Sequence, residues 1–200
     1  MNTEVGFRIA FWVLVALVLV MRAYFAFRVR QAGERVMPDR AAVEREGRGM
    51  FVIRVVAFLL LIAVLVLYGI HHPWMRALDL RLPGWLRWAG FALGLASLGL
   101  WTWTQAALGT MWSAQLQLRE KHHLVTTGPY ARMRHPLYTA MCIWSIGVAL
   151  VTANWIFVAM AVMVMAVLIA RVPREEQMMI EQFGDEYRQY IKRTGKLFPK

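Results

Sequence analysis

The chain is 200 residues long, 59% hydrophobic and only 18% charged, and it carries a formal net charge of +11. Soluble domains average about 45–50% apolar and 25% charged residues, so this composition excludes an ordinary soluble domain and, equally, a disordered chain. A single cysteine, Cys142, excludes an internal disulfide scaffold and a cysteine-based metal centre. What remains is an integral membrane protein whose surplus Lys and Arg belong to its membrane flanks and not to a nucleic-acid surface.

A hydrocarbon core about 30 Å thick takes roughly 20 helical residues to cross. The first such stretch is 7–27, bounded by Arg8 and Arg22. Its apolar run is too long for a signal-peptide core and has no basic segment before it, so a true span is expected. The second is 52–70, with Arg54 close enough to its start to reach the headgroups. A loop follows, with His71-His72-Pro73-Trp74 and Leu82-Pro83-Gly84-Trp85. It reads as an interfacial aromatic belt and not as a metal site. The third span is 88–108, where Gly90, Gly94 and Gly99 allow close helix approach.

The last apolar block, 137–172, is too long for one helix and is interrupted at Thr152-Ala153-Asn154. Asn154 is a natural cap for a new helix, so the block reads as a hairpin of spans 136–151 and 154–172. The expected fold is therefore an all-α integral membrane protein: five transmembrane helices, a hairpin of the fourth and fifth, and a cytoplasmic C-terminal helical extension. Lys and Arg number six in 28–50, four in 109–136 and seven in 171–200, against three in 71–87 and none in the hairpin turn. That asymmetry predicts the N-terminus outside and the C-terminus in the cytoplasm.

The hairpin must bring its two cytoplasmic ends together, which makes the polar segments 109–135 and 171–200 neighbours. In the first, Gln115-Leu-Gln-Leu alternates as an extended stretch would, and Gly128-Pro129 is a turn. Pro136 suits the first position of the fourth span, with His135 at or near its cap. The free amides there can accept a carboxylate or phosphate, or can simply hold water. In the second segment, Arg171 and Glu175 share a helical face, and Pro173 is expected to bend that helix. A further short helix is expected from about Asp185. As residues alone, Arg171 and Glu175 read equally as a surface ion pair. His122, His123 and His135 lack a carboxylate or cysteine at ligand spacing, so no metal is expected.

Several of these residues fall into a known pattern. Leu-Val-Thr-Thr-Gly-Pro-Tyr-Ala-Arg-Met-Arg-His-Pro-Leu-Tyr at 124–138 is followed by Arg-Val-Pro-Arg-Glu-Glu at 171–176 and Phe-Gly-Asp-Glu-Tyr-Arg-Gln-Tyr at 183–190. In that order they resemble the isoprenylcysteine carboxyl methyltransferase family, most closely its prokaryotic branch, over roughly residues 100–200. Phospholipid N-methyltransferases and membrane sterol reductases share the C-terminal pattern more loosely.

The resemblance implies a methyltransferase using S-adenosylmethionine, held by 109–138 and 171–200. No Gly-rich nucleotide loop follows a strand in this sequence, in keeping with a cofactor site of another kind. By position, the family's cofactor contacts fall on Gln115, His122, Leu124, Val125, Tyr130, His135, Pro136, Tyr138 and Glu175. The family's substrate-carboxylate arginine falls on Arg171. Pro173 and Arg174 depart from the more acidic eukaryotic pattern. The implied reaction is carboxyl O-methylation of an isoprenylcysteine-like or other lipophilic carboxylate, arriving from the bilayer in a prokaryotic cell membrane. The expected partners are thus a lipophilic or prenylated substrate and membrane lipids, and no nucleic acid. Two alternatives remain at this stage. An amine-lipid acceptor would need a base such as His122 or a tyrosine. A non-enzymatic multi-pass protein is disfavoured as a coupled transporter, because no span carries a central Asp, Glu or Lys.

Overall fold

Apolar segments flanked by arginine leave the backbone no partner but itself, and the chain answers with helices throughout. A computed structural model describes residues 3–31, 48–109 and 124–200, apart from the side chains of 48–54 and 57. In chain order the helices are α1 (Thr3–Gln31), α2 (Arg48–Gly69), the short α3 (Pro73–Arg76), α4 (Gly84–Leu108), α5 (Pro136–Thr152), α6 (Trp155–Phe183) and α7 (Asp185–Arg193). A single 3-10 turn, Gly128–Ala131, precedes α5. Among the described residues no strand forms, only the isolated bridges Asp79–Asn154 and Met133–Gly195.

The tightest packing is between α4 and α5, and glycine is what permits it. A methyl group added at Gly90 would lie 2.5 Å from the Leu150 Cβ, and one at Gly147 would lie 2.8 Å from the Gly90 carbonyl oxygen. Backbone thus meets backbone, as small residues allow in membrane helices. Gly94 takes part, pressed against Leu14 of α1, whereas Gly99 faces open space and plays no part in the seam. Phe11, Tyr68 and Phe157 form a three-ring cluster, with centroids 4.7–5.4 Å apart and edge-to-face, joining α1, α2 and α6.

Contacts fix the helix directions. Gly6 approaches Trp88, Gly84 approaches Phe7 and Gly94 approaches Leu14, so α1 and α4 run parallel. Arg8 donates to the carbonyls of Tyr68 and Gly69, capping the C-terminus of α2 and setting it antiparallel to α1. The C-terminal ends of α1 and α4, the start of α5 and the finish of α6 consequently share one end of the bundle.

The outside of the bundle is apolar. Ile9, Val20, Phe58, Leu60, Val162 and Met163 are all more than half exposed. So continuous an exposed apolar surface is what lipid would cover. Thr3–Gln31 and Trp155–Phe183 are each long and apolar enough to cross a membrane, and Phe58–Gly69 and Pro136–Thr152 are shorter apolar helical stretches. Trp74, Trp85 and Trp155 lie exposed at the turn end of the bundle, as interfacial tryptophans do.

That turn end is bound tightly. Asn154 caps α6 by accepting from the Ile156 amide at 3.0 Å. Its side-chain amide donates to the Met75 carbonyl at 2.7 Å and to Asp79 at 2.9 Å. Ala153 closes α5 in the left-handed conformation, φ +47°, and its carbonyl accepts from the Leu80 amide at 2.6 Å. Arg87 is buried beside this turn. It donates to the Val151 carbonyl at 3.0 Å, pairs with Glu4 at 2.7 Å and lies over the Phe7 ring at 3.9 Å.

Candidate active site

At the opposite end of the hairpin, Pro136 takes the first helical position of α5 and His135 the cap position. The His135 side chain does not bond its own helix, so the ring is available to face α6. It stacks on Tyr138, one turn on, with centroids 5.5 Å apart and planes 17° apart.

Helix α6 contributes the acidic side. It continues as one helix through Pro173 to Phe183. Arg171 and Glu175 are four apart on one face, with Arg171 Nη2 3.4 Å from Glu175 Oε1. The Tyr138 hydroxyl donates to Glu175 across the hairpin. His135 Nδ1 stands 3.8 Å from Glu175 Oε2, and its Nε2 stands 3.5 Å from Glu176 Oε1. The imidazole therefore lies between two carboxylates, yet Nε2 is buried without a hydrogen bond.

Glu176 also reaches the tail of the chain. It accepts from Arg134 Nε at 2.7 Å and has Lys196 Nζ at 3.5 Å. The Arg134 fork continues to the Thr194 carbonyl at 2.6 Å and the Ile191 carbonyl at 3.3 Å. Beyond α7 the tail doubles back along the same segment. The Arg134 and His135 amides donate to the Gly195 and Lys196 carbonyls at 2.9 and 3.1 Å, and the Gly195 amide donates to the Arg132 carbonyl at 3.0 Å. Thr139 Oγ1 donates to the Leu197 carbonyl at 2.5 Å. From α7, the Tyr190 hydroxyl donates to the Tyr130 carbonyl at 2.6 Å, holding the 3-10 turn in place.

Burial and charge act on these groups in opposite senses. Burial pushes His135 below its ordinary 6.5, overcoming Glu175 and Glu176, which favour the imidazolium, so the ring is neutral at pH 7. Burial alone would raise Glu176, but the hydrogen bond and charge of Arg134, with Lys196 and His135, hold its carboxyl below the usual range. Burial raises the Tyr130 phenol, with Tyr190, Tyr138 and Glu175 adding to the effect. Burial pushes Tyr190 up to about 12, against Arg134 and Arg193.

Of the positions singled out in the sequence, His135, Tyr138, Arg171 and Glu175 converge within contact distance. Pro136 is fully buried beneath them. Tyr130 is close enough for its phenol to feel Tyr138 and Glu175. Leu124 and Val125 are half-buried in the irregular stretch leading to the turn. Gln115 and His122 lie outside the described residues, as does the expected extended stretch around Gln115. Sequence reasoning passed over Arg134, Glu176, Tyr190 and the returning tail. Arg134, Glu176 and Tyr190 lie within the motif runs at 124–138, 171–176 and 183–190, but nothing in the sequence marks the tail as their partner.

Residues 90–181 match the model of the "Isoprenylcysteine carboxyl methyltransferase (ICMT) family". The chain is 43% identical over 78 residues to Protein-S-isoprenylcysteine O-methyltransferase B of Arabidopsis thaliana, covering 38% of this chain and 40% of that one. It is 31% identical over 107 residues to the Nickel-cobalt-cadmium resistance protein NccN of Alcaligenes xylosoxydans xylosoxydans, covering 53% of this chain and 50% of that one. The chain thus spans about half the length of these curated relatives, or less. Among solved structures it is similar to the eukaryotic intramembrane Ras methyltransferase ICMT, with a TM-score of 0.64 at 21% identity, covering 100% of this chain and 68% of that one. The chain accordingly shares the fold of that solved structure, and over residues 90–181 it is similar to the isoprenylcysteine carboxyl methyltransferase family.

Proposed function

We propose that this chain is an S-adenosylmethionine-dependent carboxyl O-methyltransferase acting on an isoprenylcysteine-like or other lipophilic carboxylate. One observation carries the reading: Tyr138 and His135 from one segment and Arg171 from the other meet on a single partly buried carboxylate, Glu175.

The residues suit the cofactor's chemistry. S-adenosylmethionine, when bound, supplies an electrophilic methyl on a sulfonium, together with an ammonium, a carboxylate and an adenine. Glu175 is the acid to hold an ammonium in an otherwise basic chain. The first-turn amides of α5 and the unsatisfied His135 Nε2 are donors or acceptors waiting for a polar ligand. The Tyr138 face, and Tyr130 beside it, can shelter a sulfonium by cation–π attraction. Leu124 and Val125 provide apolar wall, and Gln115 and His122 complete the set on the connecting segment.

Arg171 is half exposed and only loosely paired, so its remaining donors are open to hold an acceptor carboxylate in a fork. A carboxylate is already nucleophilic at neutral pH, so no residue has to remove a proton from it. The protein's work is to align one carboxylate oxygen with the methyl carbon and to exclude water. In that reaction the C–S bond breaks as the O–C bond forms, leaving a thioether and a methyl ester.

The five-span topology follows in the same reading. The N-terminus lies outside, and the basic end that holds the site lies in the cytoplasm of a prokaryotic cell. The lipid part of the acceptor arrives sideways from the bilayer. The test is purified protein in detergent with methyl-labelled S-adenosylmethionine and a panel of prenylcysteine, fatty-acid and amine-lipid acceptors. Base-labile label on a carboxylate acceptor is the expected product. Base-stable label on the amine lipids alone would replace the reading with N-methylation.

A further inference from the structure

The tail beyond α7 is not a loose end. Residues 194–197 run beside 132–139, hydrogen-bonded through the amides of Arg134, His135 and Gly195 and the hydroxyl of Thr139. Two features hold this strap down. One is the charge cluster in which Glu176 binds Arg134 and Lys196 while Arg134 grips the Thr194 and Ile191 carbonyls. The other is the bare backbone at Gly195, where an added methyl would fall 1.8 Å from the Phe198 carbonyl oxygen. The tail can fold back on itself there only because Gly195 has no side chain.

From this geometry we infer that Glu176 is a positioning residue: through Arg134 it clamps the C-terminal strap, and the strap fixes the backbone of His135 at the mouth of the cofactor pocket. The inference rests on the cofactor reading proposed above. Glu175 and Glu176 both flank His135 but otherwise divide their work, one carboxylate turned toward Tyr138 and Arg171, the other toward Arg134 and Lys196. Arg134 uses Nε for Glu176 and Nη1 for Thr194 at once, a forked geometry that lysine does not have.

The experiment compares wild type with Glu176→Gln and, as a route that leaves every charge in place, Gly195→Ala. Two readouts are taken on the full chain in detergent: hydrogen exchange of the Arg134, His135 and Gly195 amides, and kcat and KM for S-adenosylmethionine. Both variants are expected to lose protection at those three amides while the α5 interior, 145–151, stays protected. Both should raise KM for the cofactor about tenfold or more, with kcat changed less. Arg134→Lys is expected to fall with them. Wild-type protection in Glu176→Gln overturns the clamp. Lost protection with unchanged KM overturns the link between strap and pocket. A raised KM with protection intact also overturns it, since Glu176 would then act on the cofactor by a route other than the strap. If the wild type neither binds nor uses S-adenosylmethionine, the proposed function fails, and the exchange data still decide whether the clamp exists.

Discussion

The two ends of the α5–α6 hairpin are both polar, and they are built on different terms. At the turn end, Asn154 satisfies its amide oxygen and nitrogen in three hydrogen bonds, and Arg87 divides its donors between Val151 and Glu4. At the other end the partners do not balance. His135 Nε2 is buried without a hydrogen bond, Arg171 is half exposed against one carboxylate edge, and Glu175 collects contacts from three directions. A closed network holds a fold together, because each buried polar group has its partner. An open one keeps donors and acceptors in hand for something else. The contrast separates scaffold from site without reference to any relative.

Substitutions can break that contrast in a graded series. The largest effect is expected from Glu175→Ala, which should lower methyl transfer about 100-fold or more while the melting temperature stays near wild type. Equal losses of activity and stability would put Glu175 with the scaffold. Arg171→Lys comes next. A point charge cannot reproduce the fork, so KM for the carboxylate acceptor should rise about 10- to 30-fold with cofactor KM little changed. Asn154→Ala probes the opposite end. Losing a cap and two further buried bonds should cost about 2 kcal/mol in thermal unfolding, with specific activity of the folded fraction unaltered.

The smallest effect is one of pH, and its sign follows from burial. His135 titrates below its unfolded value of 6.5 in the folded chain, so its contribution to stability is full above pH 6.5 and fades as pH falls toward the folded value. Glu176 is also depressed, from 4.5, so its contribution persists to lower pH and is lost only as pH falls through its folded value. His135→Asn should therefore flatten the stability profile just below pH 6.5, and Glu176→Gln should flatten it only in stronger acid. Melting curves collected between about pH 2 and about pH 8 distinguish the two. Identical profiles for both variants would contradict the assignment.

Much of this arrangement is legible in the sequence because local rules govern it. Asn154 after an apolar run, Pro136 after His135 and an acidic pair at Asp185-Glu186 each mark a helix start on their own, and each helix begins there. The convergence of His135 with Glu175 needs one further step, the hairpin, which brings any two such ends together. What the sequence hides is long-range and one-to-one. Nothing near Gly195 says that it will lie against Arg132 and fold back on Phe198. Nothing near Arg87 says that it will be buried between Glu4 and Val151; in the sequence it counts only as one more loop arginine. Gly90 and Gly99 look alike in a run of small residues, yet only the first meets a facing backbone. Such facts depend on register between helices, which composition does not encode.

The central claim is that two stretches about 35 residues apart act as one pocket, and a double-mutant cycle between them tests it most directly. Cofactor affinity is measured by titration for wild type, Tyr138→Phe, Glu175→Gln and the double variant. A shared pocket predicts a coupling of about 1 kcal/mol or more between the two positions. Additivity to within about 0.5 kcal/mol, the behaviour of independent sites, would contradict it.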